Sequence, residues 1–379
     1  MTGYCLIEEP QQLEQLCARL APEAELALDL EADSLHHYRE KVCLLQLSTR
    51  DTTWLIDPLK VSDFSALAPL LADPGRLVVL HGGDYDIRSL HRDFGMTVGQ
   101  LFDTMIAAQF CGISEFGLAA LLRGSFGIEL DKRFQKADWS QRPLTAEMAD
   151  YAAHDTAHLL ELANHLRERL LQLGRLDWVA EECSLLIHNR VTEKGNGPLF
   201  LHCKGAGKLK PRNLAVLEAL LQFRDNQARE LDRPPFKVLP AETLLKVAEL
   251  LPKTVRDMND LPGLTPRLLK RYGEQLLERV RQGCSVPEAD LPRYPRTRGE
   301  PNPGIKARIT QMKQWRDHIS TQLNLAPGLL APNWLLERIA EQQPETLEQL
   351  AMIQGIRRWQ LEVWGEGLLE NGAKEKQTA

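Results

Sequence analysis

The stretch from Leu26 to Glu31 constrains the fold of this chain more than any other part of its sequence. Apolar residues alternate with small or acidic ones, which is typical of a β-strand with one face in a core. Side chains two residues apart share a face, so the leucines point one way and Asp29 and Glu31 the other. Neighbouring carboxylates repel each other, and neither residue favours a strand interior. A solvated polar face explains this pattern, and so does a divalent cation held by carboxylate oxygens.

The residues around this strand predict an α/β layer with helices packed on both sides. Further strands are expected at residues 4–7, 42–47, 52–56 and 77–80, and helices at 11–20, 62–71, 85–94 and over most of 102–189. The short connections between the early strands favour an antiparallel meander.

A second acidic segment, His81-Gly82-Gly83-Asp84-Tyr85-Asp86-Ile87, follows the strand expected at residues 77–80. Its glycines permit a tight turn, and Asp84 is predicted to be the N-cap of the next helix. Asp86 then lies in the first helical turn, where the helix dipole favours an acid, so its position has a structural explanation as well as a functional one. Asp103 is likewise expected to cap the helix that includes Met105.

A third segment, Tyr151-Ala152-Ala153-His154-Asp155, lies in a helix predicted to begin at Thr145. Tyr151 and Asp155 are four residues apart and therefore neighbours on one helix face. A tyrosine hydroxyl beside a carboxylate is able to hold a water molecule by hydrogen bonds. An ordinary amphipathic helix with a half-buried tyrosine is the alternative.

Taken in order, these three segments resemble the motifs of the DEDD exonuclease superfamily in its tyrosine-bearing branch. The motifs are Leu28-Asp29-Leu30-Glu31, the segment that contains Asp86, and Tyr151-Ala152-Ala153-His154-Asp155. The histidine branch would have histidine where this chain has Asp150. The strings Gln46-Leu47-Ser48 and Phe102-Asp103-Thr104 are also similar to the ribonuclease D family. The resemblance covers residues 1–190 and implies a ribonuclease H-like fold, with a mixed sheet flanked by helices.

The resemblance also implies hydrolysis of a phosphodiester with two divalent metal ions, Mg²⁺ or Mn²⁺. Asp29, Glu31 and Asp155 would hold the ion that activates water. Asp29 would bridge to the second ion, and Asp86 would contribute mostly through water. Tyr151 would orient the nucleophile.

The second half of the chain contains an internal repeat with a constant offset of 92 residues. Phe223-Arg224-Asp225 matches Trp315-Arg316-Asp317, Pro240 matches Pro332, and Leu261-Pro262-Gly263-Leu264 matches Ile353-Gln354-Gly355-Ile356. Each copy is predicted to form about four short helices with Pro and Gly at the joints. Each copy resembles an HRDC domain, and two copies after a DEDD nuclease are typical of the ribonuclease D family.

The net charge of −6 argues against a nucleic-acid partner, but residues 201–300 hold 19 Lys and Arg against 13 Asp and Glu. Seven cations of the first copy are therefore candidates for nucleic-acid contacts: Arg224, Arg229, Arg233, Lys237, Arg267, Lys270 and Arg271. The alternative is a solvated surface of a helical module that packs against the nuclease. The second copy, which is rich in Glu and Gln, is expected to be a spacer or docking surface.

These patterns define the expected domain boundaries. We expect an exonuclease domain at 1–192, a basic linker at 193–213, one HRDC domain at 214–286, a proline-rich linker at 287–304, a second HRDC domain at 305–371 and a disordered tail at 372–379. The seven cysteines are scattered and include no CxxC pair, which indicates reduced thiols in the cytoplasm. No stretch predicts a signal peptide or a membrane span.

The leading functional prediction is a monomeric 3′→5′ exoribonuclease that releases mononucleotides and trims structured RNA, with tRNA precursors as the substrate that the family implies. A DNA exonuclease for proofreading or repair is the first alternative, because the acids do not distinguish RNA from DNA. The second alternative is a nonhydrolytic nucleic-acid binding protein with the same fold.

Overall fold

The computed structural model describes residues 3–188, 197–295 and 303–372. The chain forms two compact units that are not contiguous in sequence. The first unit comprises residues 1–32, 42–191 and 300–379, and the second comprises residues 33–41 and 192–299. The nuclease region therefore shares a unit with the second helical repeat. The nine residues 33–41, which we call the β2–β3 segment, belong to the unit of the first repeat.

The nuclease region contains one six-stranded sheet with the strand order β1-β4-β3-β2-β5-β6. The strands are β1 (Tyr4–Ile7), β2 (Glu25–Ala32), β3 (Val42–Ser48), β4 (Thr53–Ile56), β5 (Leu77–Leu80) and β6 (Gln100–Asp103). Strands β2, β3 and β4 pair antiparallel, which confirms the predicted meander. The pairs β1–β4, β2–β5 and β5–β6 are parallel, so the sheet is mixed as expected.

Eight helices lie in the described part of the nuclease region. They are α1 (Pro10–Leu20), α2 (Ala68–Ala72), α3 (Asp84–Phe94), α4 (Thr104–Phe110), α5 (Leu118–Phe126), α6 (Ala146–Ala157), α7 (Leu159–Leu173) and α8 (Leu176–Ile187). Across the described residues, none of the helices is both long enough and apolar enough to cross a membrane.

Strand β2 lies inside the sheet and is buried on both faces over most of its length. Ala27 and Leu28 are fully buried, whereas Asp29 and Glu31 keep part of their surface accessible. Helix α6 packs across strands β2 to β4, and the Ser48 hydroxyl hydrogen-bonds that of Thr156 over 2.7 Å. This contact holds the C-terminal part of α6, and thus its acids, against the sheet.

Three local predictions were wrong. The helix expected at 62–71 is confined to α2, because the Asp63 carboxylate accepts a bond from the Ser65 backbone N–H in a local turn and Pro69 suits a first helical turn. Strand β6 was missed, since only four residues of it are paired. The region between α5 and α6 is irregular rather than helical.

The internal repeat is present in the structure as two helical modules with matching elements. The first module contains α9 (Pro211–Glu230), α10 (Pro235–Val238), α11 (Ala241–Leu250), a 3₁₀ turn (Val255–Met258) and α12 (Pro266–Ser285). The second module contains α13 (Pro303–Leu323), α14 (Pro327–Leu330), α15 (Asn333–Gln342), α16 (Leu347–Ala351), α17 (Arg358–Gln360), a π-turn (Leu361–Gly365) and α18 (Glu366–Gly372). The starting residues differ by 92 at every matched helix. Four short helices were expected in each copy, but each copy begins with a helix of at least 20 residues.

The linker predicted at 193–213 is partly ordered in the structure. Residues 199–202 and 206–208 form 3₁₀ turns, and Phe200 is buried in the core of the first module. The Phe200 backbone N–H donates to the Glu218 carboxylate on α9 over 3.0 Å. Parts of both predicted linkers, and the predicted disordered tail from residue 373 onward, lie outside the described residues.

The β2–β3 segment packs on α9 within the second unit. The Tyr38 hydroxyl donates to the Asp225 carboxylate over 2.8 Å, and the Arg229 guanidinium lies 5.5 Å from the centre of the Tyr38 ring. Asp232, which follows α9 at a positive φ of 46°, pairs with the His37 ring at 2.7 Å and accepts the Tyr38 backbone N–H. The expected boundary of the exonuclease domain therefore encloses a segment that folds with the first module.

Candidate active site

The candidate site lies at the carboxyl end of β5, where the neighbouring strand β2 continues beyond it. These strands are parallel, with Ala27 beside Val79, and the same register continued by two residues places Asp29 beside His81. The carboxyl ends of parallel strands are the usual location of ligand sites in α/β sheets. Helix α3 starts directly after β5, and α6 packs over β2, so three separate sequence segments converge here.

The three carboxylates of Asp29, Glu31 and Asp155 form one group. Each offers an oxygen, and these oxygens all lie within 4.8 Å of one another. Burial raises the pKa of Asp29 to about 7, and burial with repulsion from Asp29 raises the pKa values of Glu31 and Asp155 well above the ordinary range. Removal of the carboxylates from water is the main cause of these shifts, and the neighbouring negative charges add to it for Glu31 and Asp155. These residues meet as the sequence predicts.

Asp86 lies in the first turn of α3 and is 6% exposed. Burial, and then repulsion from Asp29 and Asp103, raises its pKa well above the ordinary range. Asp86 is therefore close enough to Asp29 for their charges to interact. It is set back from the three-carboxylate group and does not line the cavity in front of that group.

Tyr151 lines this cavity from α6 and is 8% exposed. Its ring packs edge-on against Phe134 at 5.8 Å and tilted against Trp139 at 5.9 Å between centroids. Burial, together with repulsion from Asp155 and Glu31, raises the pKa of the Tyr151 hydroxyl. The phenol therefore stays protonated at neutral pH and keeps its O–H as a donor beside the carboxylates.

An arginine holds the segment that carries Trp139. The Arg142 guanidinium donates to both carboxylate oxygens of buried Asp57, over 2.6 and 2.8 Å, and also to the Cys43 and Trp139 carbonyls. A bidentate arginine–carboxylate pair of this kind has a fixed geometry. Arg142 thus connects the irregular segment before α6 to β3 and to the end of β4. The sequence offered no signal for this pairing, because its partners are 85 residues apart.

Asp103 organises the turn that leads into α3. Its carboxylate accepts bonds from the Gly82 and Gly83 backbone N–H groups over 3.0 and 2.7 Å, and from the Met105 N–H over 2.8 Å. The prediction that Asp103 caps α4 is confirmed. The N-cap of α3 is Gly83 rather than Asp84, because this turn is held from β6 and Asp84 is already helical.

The cavity in front of the acids has a volume of about 430 Å³. Besides the predicted residues, it is lined by His81, the start of α5, and the irregular residues Leu130, Asp131, Lys132 and Gln135. The His81 ring contacts the Thr104 hydroxyl over 3.0 Å, and burial lowers the pKa of the ring. Lys132 was not predicted, because a lysine in an irregular segment gives no signal from spacing.

The seven candidate cations of the first module have different environments. Arg224 is half-buried and donates to the Leu239 carbonyl over 3.3 Å, and burial lowers its pKa. Its counterpart Arg316 makes the same bond to the Ala331 carbonyl over 3.0 Å. Arg224 therefore has a structural role, and its guanidinium is less accessible to a nucleic acid than the other six cations. The other six are exposed: Arg229, Arg233, Lys237, Arg267, Lys270 and Arg271.

The acid group has the composition that a hard divalent cation requires. Its donors are all carboxylate oxygens, which suit Mg²⁺ and Mn²⁺. Burial first and mutual repulsion second raise the pKa values of Glu31 and Asp155, and a bound cation would offset both by stabilising the ionised carboxylates. The residues of this structure therefore fit a divalent metal site.

Comparisons with known proteins agree with this arrangement. The 3′-5′ exonuclease family matches residues 4–171, and the HRDC domain matches residues 213–280 and 306–371. Ribonuclease D of Pseudomonas paraeruginosa (strain DSM 24068 / PA7) is 31% identical over 366 residues, which cover 96% of each protein. Ribonuclease D of Escherichia coli (strain K12) is 29% identical over 97% of each protein.

Solved structures with the same fold include two nucleases. The E. coli RNase D structure, described as an exoribonuclease involved in structured RNA processing, has a TM-score of 0.75 at 28% identity over 98% of each chain. The catalytic core of RRP6 from Trypanosoma brucei has a TM-score of 0.64 at 31% identity, over 75% of this chain and 80% of that chain.

The sheet, the acid group and the helical modules together define a 3′–5′ exonuclease that carries HRDC domains. The fold expected from the sequence is thereby confirmed. The chain belongs to the ribonuclease D family, and it is a 3′–5′ exoribonuclease. This assignment confirms the prediction of a 3′→5′ exoribonuclease over a DNA exonuclease and over a nonhydrolytic binding protein.

Proposed function

We propose that the enzyme trims the 3′ ends of tRNA precursors and other structured RNAs, with two divalent cations, Mg²⁺ or Mn²⁺, at the acid group. The observation that carries the proposal is the convergence of Asp29, Glu31 and Asp155, whose oxygens lie within 4.8 Å of one another. When bound, the cations would supply positive charge at the attacking and leaving oxygens of the phosphodiester.

The side chains of the cavity take distinct roles in this proposal. Asp29, Glu31 and Asp155 hold the cations, and Asp86, which is set back, contributes through water. The protonated hydroxyl of Tyr151 donates or accepts a hydrogen bond that orients the attacking water. Phe134 and Trp139 pack on the Tyr151 ring, so the hydroxyl occupies a restricted position before substrate arrives.

The substrate class follows from the relatives and from the charge of the first module. The E. coli relative is described as acting in structured RNA processing, and the shared architecture supports a similar substrate here. Comparison of equivalent positions in the two modules indicates whether the helical fold itself requires a cation at each position. The six exposed cations Arg229, Arg233, Lys237, Arg267, Lys270 and Arg271 correspond to Thr321, Leu325, Leu329, Trp359, Glu362 and Val363.

None of these six positions retains a positive charge in the second module, so the fold does not require one there. We infer that this surface of the first module contacts RNA phosphates. Arg229 also pairs with Asp225 and with the Tyr38 hydroxyl, so it serves the β2–β3 segment as well.

The direct test uses a tRNA transcript with a 3′ extension, incubated with Mg²⁺ and with a chelator. We expect Asp155→Asn to lower the rate of nucleotide release by about a thousandfold, because the variant loses a charged ligand. Tyr151→Phe is expected to lower the rate by about a hundredfold, since only the hydroxyl is removed. Chelation abolishes release by the unaltered enzyme.

The matched control is Asp150→Asn, on the same helix but outside the three-carboxylate group. This variant should release nucleotides at the normal rate. Circular dichroism without metal should report that no variant melts at a lower temperature than the unaltered enzyme, because none of the changes removes apolar packing and Asp155→Asn removes a buried charge. Full activity of Asp155→Asn, or activity that survives chelation, contradicts the proposal.

We also expect a cytoplasmic and monomeric enzyme. All seven cysteines are free in the described structure, as expected for a protein in a reducing compartment. Cell fractionation tests the compartment, and sedimentation of the full chain tests the oligomeric state.

A further inference from the structure

Lys132 lies at the junction of two cavities. It lines the cavity of about 430 Å³ that contains the acid group, which we call the acid cavity. It also lines a neighbouring cavity of about 610 Å³, which we call the outer cavity and which includes Arg123 and Arg133. The two cavities share Ala119, Ala120, Leu130 and Asp131 as well, so they form one continuous depression along the start of α5.

Lys132 differs from its neighbours in its charge environment. Among the described residues that line the acid cavity, it is the sole Lys or Arg, and the same lining includes four carboxylates. The adjacent Arg133 is engaged with Asp131, with its Nε 2.6 Å from a carboxylate oxygen. The Lys132 side chain forms no ion pair with any residue that the structure describes. Its ammonium group is therefore available to an anion from solution.

The segment that carries Lys132 is also fixed relative to the catalytic tyrosine. Phe134, two residues further on, packs edge-on against the Tyr151 ring at 5.8 Å. Lys132 thus belongs to a segment that contacts the site itself, and its own side chain is exposed. A cation on such a segment is able to bind a substrate phosphate close to the reacting bond.

The chemistry of the acid cavity indicates which phosphate Lys132 meets. In the proposed function, Asp29, Glu31 and Asp155 would hold the cations, which would supply positive charge to the scissile phosphate. The exit from this cavity toward Arg123 and Arg133 passes Lys132, and an RNA strand entering by this route brings its next phosphate there. A lysine ammonium binds phosphate as a compact point charge.

We propose that Lys132 is a positioning residue that binds the phosphate on the 5′ side of the scissile one, as the strand passes from the outer cavity into the acid cavity. This inference rests on the proposed function, because it takes the acid group as the place of hydrolysis. It assigns Lys132 to binding of the strand and not to the chemical step.

The test compares two substrates of Lys132→Gln. One is the p-nitrophenyl ester of uridine 5′-monophosphate, which contains only the scissile phosphate, and the other is a penta-adenylate RNA with a free 3′ end. For the RNA we expect KM to rise about tenfold with kcat within about twofold of normal, the effect of one charge-assisted contact. For the ester, both constants stay unchanged.

Two further variants and a salt series complete the test. Lys132→Arg keeps the charge and should restore most of the affinity, whereas Lys136→Gln, on the same segment but outside both cavities, should behave as the unaltered enzyme. The slope of log(kcat/KM) for RNA against log[salt] should become shallower by about 0.7 in Lys132→Gln. Equal losses on both substrates, a fall in kcat alone, or no change on the RNA overturns the inference.

Binding measured with a chelator present separates this inference from the proposed function. Fluorescence anisotropy of labelled penta-adenylate should show about tenfold weaker binding to Lys132→Gln than to the unaltered protein. If the unaltered enzyme binds RNA but releases no nucleotide with Mg²⁺ or Mn²⁺, the proposed function fails while the anisotropy still decides the role of Lys132. If the unaltered enzyme is active and Lys132→Gln binds normally, only the inference fails.

Discussion

The two helical modules keep one backbone design but pack against different partners. Their matched helices start 92 residues apart, and the same unusual backbone positions recur in both. Leu251 and Gln343 end equivalent helices with φ of 51°, and Gly263 and Gly355 both have positive φ. A Cβ at Gly263 would lie 2.1 Å from the Thr243 hydroxyl, so glycine is needed there for space as well as for conformation.

The cores of the two modules differ in what they include. The core of the first module is a cluster of its own, to which Tyr38 of the β2–β3 segment contributes. The core of the second module is continuous with that of the nuclease region. Trp359 of the second module stacks on Trp178 of α8 at 5.2 Å, and its indole N–H donates to Glu182 over 3.0 Å.

Both modules use one equivalent position, just after their first helix, for a long-range contact within their own unit. Asp232 follows α9 and binds His37 and the Tyr38 backbone, whereas Asn324 follows α13 and its amide donates to the Gly112 carbonyl over 3.5 Å. This difference between the two modules shows how copies of one fold come to make different contacts. Buried residues and the turns at helix ends are retained, while substitution of exposed residues creates a docking face in one copy and a basic face in the other.

The largest expected effect comes from a substitution that disrupts packing of the second module against α8 of the nuclease region. Trp359→Ala should lower the free energy of unfolding of the first unit by about 3–5 kcal/mol, because it removes a buried indole that stacks on Trp178. The matched change at the equivalent position of the first module is Arg267→Ala, which should change stability by less than about 0.5 kcal/mol. Both changes in stability are measured by urea unfolding, with hydrogen exchange of peptides from the nuclease region as the probe. Equal effects of the two changes would contradict the proposed difference.

A smaller effect is expected from substitutions in the basic face of the first module, which is formed by its six exposed cations. These substitutions test whether the second module also binds RNA. The double variant Lys237→Gln/Lys270→Gln should weaken binding of structured RNA by about tenfold and make the salt dependence shallower by about 1.4, because two phosphate contacts are lost. The matched variant Lys306→Gln/Arg358→Gln removes two exposed cations of the second module and should leave the affinity unchanged. Filter binding over a range of salt concentrations provides the measurement, and loss of affinity in both variants refutes the assignment.

The smallest expected effect is a pH dependence at Asp232 of the first module, whose counterpart in the second module is Asn324. Hydrogen bonds from the His37 side chain and the Tyr38 backbone hold the pKa of Asp232 below its ordinary value of 3.8. A lowered folded-state pKa means that the contribution to stability is complete above pH 3.8 and is lost as the pH falls through the folded-state value. Hydrogen exchange in the β2–β3 segment, corrected for intrinsic rates, should then become faster by up to about fivefold.

Two controls accompany this prediction. Asn324 does not titrate in this range, so exchange around Gly112 should show no such dependence. Asp232→Asn should remove the effect from the β2–β3 segment. A pH response that persists in this variant would place its origin elsewhere.

Much of the fold was accessible from local sequence, because its signals are short-range. The alternation in Leu26–Glu31 predicted β2, the Thr145 cap predicted the start of α6, and the 92-residue offset predicted two similar modules. Such patterns report which face of an element is buried, which depends on residues close in the chain. The order of the acids along the chain was likewise enough to predict the composition of the site.

Tertiary packing was needed for everything that joins distant segments. The pairing of Arg142 with Asp57, the position of Lys132 in the acid cavity, and the association of the β2–β3 segment with α9 left no periodic trace in the sequence. Each depends on side chains in irregular segments, whose directions are set by long-range contacts rather than by a helical or strand repeat. For the same reason the two modules look alike in sequence, although one is part of the nuclease core and the other has a core of its own.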